Sequence, residues 1–135
     1  MHTVQTILET HGINPAQPGF YHVKVNNSSQ TAPLTIEGIG KGPHGRSAVS
    51  VCRYRQLNGD VVRDPEMCFE IIEGRGELFW RPFYYRNDWA DLEQESTWVD
   101  EDGQVKTRPT VLTEMIGFAK VWDRDLREQG FLGGR

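Results

Sequence analysis

The sequence predicts an α+β domain, an antiparallel meander of about five to seven strands with a short helix before it and a longer helix after it, packed on one face. Three observations predict it. Apolar residues recur at helical spacing near the two ends, at Val4, Ile7 and Leu8 and again from Val111 to Leu126. Between them, short runs alternate apolar and polar side chains, as half-buried strands do. Turn-forming residues separate the runs, and Asn58-Gly59 is the strongest hairpin signal among them.

In chain order, residues 3–11 form the first helix, stopped by Gly12. The loop Asn14-Pro15-Ala16-Gln17-Pro18-Gly19 leads into a strand over 20–25, whose alternation turns Tyr21, Val23 and Val25 inward. A polar turn at 26–30 makes this strand a hairpin partner of 34–39. Gly38, Gly40, Gly42 and Gly45 then form a flexible hairpin connection. A phosphate loop is the weaker reading, because Pro43 interrupts the run, the full glycine spacing is absent, and a strand follows where a helix N-terminus is needed.

Residues 48–56 form the third strand, and the Asn58-Gly59 turn pairs Leu57 with Asp60, Gln56 with Val61 and Arg53 with Asp64. Continued without interruption, that register splits the apolar set between two faces. Pro65 cannot donate to a ladder, so a bulge at Asp64-Pro65 is expected, and it gathers Val49, Val51, Met67, Phe69 and Ile71 on one core face. After a turn at 73–77, the strand 78–85 carries Trp80 and Tyr84 on one face and Phe79, Phe83 and Tyr85 on the other. Rings on both sides call for cover on both sides, from the helices, a ligand or a partner chain such as a second copy in a homodimer. Asp88, Asp91, Glu93, Glu95, Asp100, Glu101 and Asp102 form a solvated acidic run with a short strand at 97–99 and a turn at 100–103. Pro109 opens the last helix, which Gly130 caps while Phe131 and Leu132 fold back on it.

A chain of 135 residues fits one domain, 1–135, that buries its own core without a covalent staple. A net charge of −4 with 25% charged residues excludes an intrinsically disordered chain and a strongly basic nucleic-acid-binding tail. Cys52 and Cys68 have no CxxC spacing and no secretory leader ahead of them, which predicts buried thiols in a reducing cytoplasm. No apolar run is long enough to span a membrane, so a cytoplasmic protein without a membrane partner is expected.

The residues singled out for binding are Trp80, Tyr84, Tyr85, Trp89 and Trp98, as aromatic anchors, together with Arg53, Arg55, Asp64 and Glu66. Arg53 and Arg55 join Lys41 and Arg46 in a basic strip, the basis of an alternative small-molecule or nucleic-acid reading; nucleic acid is not favoured, since four cations are few. Asp64 and Glu66 underlie a second alternative, a metal-dependent enzyme, although hard cations need several oxygen ligands and no histidine falls in this segment. His2, His11, His22 and His44 are scattered, and no serine sits in a Gly-x-Ser-x-Gly elbow. No catalytic residue, metal ligand or cofactor is therefore assigned. The leading expectation is a non-enzymatic binding or inhibitor protein acting on a protein partner.

The segments Gly59-Asp-Val-Val-Arg-Asp-Pro-Glu-Met-Cys-Phe-Glu70, Val99-Asp-Glu-Asp-Gly103 and the tail from Phe118 to Leu132 resemble a family of short bacterial proteins without assigned activity. Such proteins are also associated with phages and mobile elements. The resemblance covers the chain from Ile7 onward and implies accessory or host-interaction roles by association alone.

Overall fold

The computed structural model describes residues 1–27 and 32–132. Helix α1 (His2–Thr10) precedes strands β1 (Phe20–Val25), β2 (Leu34–Lys41), β3 (Ser47–Leu57), β4 (Asp60–Gly74), β5 (Glu77–Asn87) and β6 (Leu92–Glu95). These six pair antiparallel in sequence order. A separate two-stranded ribbon of β7 (Thr97–Val99) and β8 (Val105–Thr107) follows, and then helix α2 (Pro109–Glu128). The α+β meander with a short leading and a longer trailing helix is as the sequence predicts. The expected polar turn at 26–30 lies outside the described residues beyond Asn27.

The hairpin register follows its turn residues. Asn58 and Gly59 both adopt positive φ, 52° and 87°, as a two-residue turn matched to strand twist requires, and Leu57 faces Asp60. The ladder then shifts between Cys52 and Tyr54, so that Asp64 and Pro65 together oppose Arg53. Val51 therefore meets Met67 and Val49 meets Phe69, which is the expected bulge with its expected outcome. All four are fully buried, and Ile71 joins them.

A second bulge departs from the sequence reading. Cys68 faces Tyr84 but Phe69 faces Pro82, leaving Phe83 unpaired. Alternation along β5 is broken there, so Trp80 and Tyr85 share the helix-covered face while Tyr84 lies opposite. The predicted grouping of Trp80 with Tyr84 is corrected by this shift. Its physical reason is the one already applied to Pro65: Pro82 has no N–H to give to the ladder.

Both helices pack on the same face of the sheet. One core joins Val4, Ile7 and Leu8 of α1 to Met115, Ala119, Trp122 and Leu126 of α2 and to the inward residues of β1–β5. Thr3 ties the helices together, its backbone N–H donating to Asp123 Oδ1 at 2.8 Å and its hydroxyl to the Asp123 carbonyl. At the end of α2, Gly130 takes φ 86° while Phe131 N–H reaches back to the Leu126 carbonyl and Gly130 N–H to that of Arg127. This Schellman geometry buries Phe131. The opposite face of the sheet has no helix over it among the described residues, and alternation places Thr35, Glu37, Ser50, Cys52, Glu66, Cys68 and Glu70 there.

Candidate functional site

The glycine-rich connection between β2 and β3 does cradle an oxyanion, and that oxyanion belongs to the chain. Glu70 is fully buried, and its carboxylate accepts from the backbone N–H of His44 at 2.8 Å, that of Arg46 at 3.3 Å and His44 Nδ1 at 2.7 Å. Gly42 makes room for it, since a Cβ there would lie 2.3 Å from Glu70 Cγ. Backbone donors that a phosphate would need are thus occupied by an internal carboxylate. The connection predicted to be a flexible hairpin is fastened to β4 at this point.

The residues around the first bulge form a charge network. Asp64 pairs with Arg55 at 2.8 Å and accepts from Asn87. Glu66 accepts from Ser50 Oγ and from Arg63, and Arg63 also pairs with Asp88. Trp89, largely exposed in the β5–β6 turn, lies over the Arg55 guanidinium at 5.9 Å. Asp64 and Glu66 are thus engaged by cations and amides. Among the described residues no three His, Cys, Asp or Glu side chains are grouped to hold a metal ion.

Asp88 anchors the β5–β6 turn to β4. The Arg63 backbone N–H at 2.8 Å and Arg86 Nε at 2.7 Å hold its carboxyl well below the usual range, at about 2. A carboxylate whose folded pKa is depressed contributes its stability above the unfolded pKa, near 4, and that contribution is lost as pH falls towards 2. The gap in urea midpoint between wild type and Asp88→Asn is therefore expected to be largest at pH 5 and to close by about pH 2, as urea titrations across that range would show.

The remaining predicted residues divide. Arg53 is not free to line a basic strip: Nη1 donates to Gln129 Oε1 at 2.6 Å, Nη2 donates to the Ala32 carbonyl, and the guanidinium lies over Phe131. It fastens the end of α2 to β3. Trp80 meets Phe69 edge-on and donates to Gln5 of α1, so it serves the core. Burial pushes the Cys52 and Cys68 thiols up to about 12, which makes them poor nucleophiles.

Tyr85 and Trp98 border a groove, whereas Tyr84 lies on the other face of the sheet. Tyr84 donates to Glu93 across the open face. Tyr85 meets Phe118 of α2 edge-on at 5.3 Å, and Trp98 lies under the Arg108 guanidinium at 4.8 Å. Between β6 and the first half of α2 run two adjoining depressions that share Leu92 and Gln94. One, of about 600 Å³, extends to Trp98, Arg108 and Val111; the other, of about 240 Å³, extends to Tyr85, Met115 and Phe118. β6 is the outermost strand, so its far edge pairs with nothing in the described sheet. The Ser96 N–H donates to the Phe83 carbonyl, and the antiparallel alternation that follows turns the N–H and C=O groups of Glu93 and Glu95 outward along that edge.

Sequence reasoning found the aromatic ends of this groove and missed its wall. In the sequence, β6 lies inside the run expected to be a solvated acidic surface. Alternation of Leu92 and Gln94 with Glu93 and Glu95 was the available signal, too short and too polar to register beside seven acids. Glu114, which also lines the smaller depression, and the outward share of Phe118 depend on how α2 rotates over β5, which helical spacing does not fix to one residue.

The molecule is an α+β domain whose sheet carries helices on one face and a grooved free edge at β6. The chain belongs to a family described as a domain of unknown function, DUF6908, which matches residues 2–132. No curated protein and no solved structure matches it. Among the described residues no helix is long and apolar enough to cross a membrane.

Proposed function

We propose that this domain is a non-enzymatic binding protein that holds a segment of a protein partner in the groove between β6 and α2. One observation carries the reading: an unpaired strand edge runs beside a trough floored by aromatic and aliphatic side chains, Tyr85, Met115 and Phe118, with Trp98 at its end. Backbone groups supply affinity and side-chain pockets supply selectivity in such sites. The free buried thiols fit a reducing cytoplasm, and the resemblance to bacterial, phage and mobile-element proteins fits an accessory or inhibitory role there. The basic-strip alternative is weakened by the ties that hold Arg53 and Arg55.

Selection from a displayed library of random dodecapeptides tests the reading. Enriched peptides are expected to bind the wild type and to lose at least tenfold in affinity on Phe118→Asp, at a partly exposed position, with circular dichroism showing that the variant is folded. If every enriched peptide binds the Phe118→Asp and Trp98→Ala variants as it binds the wild type, the groove is not the binding surface.

A further inference from the structure

We infer that the occupant of the groove is an extended segment of another protein that adds to the sheet as a seventh strand beside β6, with basic residues on one side and apolar residues on the other. This rests on the binding reading above and names the partner's chemistry.

Three features of β6 specify the occupant. Its outward backbone groups, at Glu93 and Glu95, recur at the spacing a strand needs and meet no other part of the chain among the described residues. The two side-chain faces differ. Glu93 and Glu95 point to the open face with Tyr84 and Arg86, whereas Leu92 and Gln94 point to the α2 side with Tyr85. An added strand alternates in the same way, so every second side chain would meet acids and the others would meet Val111, Met115 and Phe118.

The charge at the rim sets the sign. Glu93 is partly neutralised by Arg86 at 3.6 Å, but Glu95 and, across the groove, Glu114 have no ion-pair partner among the described residues. The lining base is Arg108, already lying over Trp98. A lysine or arginine at each open-face position of the guest would lie opposite Glu93 and Glu95, while an acidic guest would be repelled there and, on the α2 side, by Glu114.

The same acids argue against a second copy joined through β6. A two-fold pairing of β6 with itself would set Glu93 and Glu95 against their counterparts, which is unfavourable for directly opposed strand residues. A head-to-tail contact with β1 of another copy, which presents His22 and Lys24, would be seen as assembly that grows with concentration.

Synthetic nonapeptides provide the test, read by calorimetry on the intact chain with sedimentation as a parallel measurement. One alternates Lys or Arg with Leu or Val, the second has the same composition scrambled to break the alternation, and the third replaces the bases with Glu. The alternating basic peptide is expected to bind at least tenfold more tightly than either, and more weakly as salt rises. Glu93→Lys with Glu95→Lys should invert the preference between the basic and acidic peptides. N-methylation of the alternate amides that face β6 should abolish binding, and methylation of the others should leave it intact. Circular dichroism and the thermal midpoint, unchanged from wild type, would show that the reversed variant is folded. Binding that ignores N-methylation and charge reversal overturns strand addition, as does failure of the alternating peptide to bind. If library-selected peptides still depend on Phe118, the binding groove survives that result and only its strand-like occupant is lost. Concentration-dependent assembly abolished by Lys24→Glu would overturn the foreign partner in favour of a second copy.

Discussion

Truncating the buried carboxylate, Glu70→Ala, is expected to destabilise the fold by about 3 kcal/mol. Two backbone N–H groups and the His44 ring lose their acceptor, each unmade bond costing about 1 kcal/mol or more, and the vacated volume adds a packing loss. Glu70→Gln keeps the shape and one acceptor, so it should cost roughly half as much. The partner substitution tests the cause. Gly42→Ala should cost about 2 kcal/mol in the wild type, because its Cβ would lie 2.3 Å from Glu70 Cγ, and Gly42 is not held at positive φ. In the Glu70→Ala background that atom is gone, so the two losses should fall short of additivity by about 1 kcal/mol or more. Urea unfolding of the four proteins measures the cycle, and strict additivity would mean that the loop is not held by this carboxylate.

Phe69→Ala is expected to have the largest effect of any single substitution in the sheet, about 3–5 kcal/mol. The ring is fully buried between Val49 and Pro82 on neighbouring strands and meets Trp80 edge-on at 5.6 Å. Domains of this kind have about 5–15 kcal/mol to lose, so the midpoint of thermal unfolding should drop by more than 10 °C. Phe69→Leu keeps most of the volume and should cost about 1–1.5 kcal/mol. A loss below 1 kcal/mol for Phe69→Ala, read from the same melting curves, would place this ring outside the core.

The order of elements was legible because the local signals agree with the tertiary ones. Asn58-Gly59 fixes a turn, and the apolar residues on either side of Pro65 can share a face only if the ladder slips by one residue, so the first bulge could be deduced. The second could not be deduced from apolar pattern alone. Strand 78–85 is aromatic on both faces, and a pattern that is apolar everywhere carries no register information. Pro82 was the remaining clue. The groove was less legible still, because it is made by two segments far apart in sequence, one of them a four-residue acidic strand. The buried state of Glu70 was also hidden: in sequence it is one of several carboxylates flanking the turn, and only the approach of the glycine-rich loop sets it apart.

The clasp between Thr3 and Asp123 has a kinetic consequence. Every strand of the meander pairs with its neighbour in sequence, so the sheet closes through short loops, whereas the clasp joins residues 120 positions apart. Loop-closure entropy favours zipping of the hairpins first and docking of α1 on α2 afterwards. Contacts made after the rate-limiting barrier govern how long the native state lasts, and leave the speed of its formation to the hairpins.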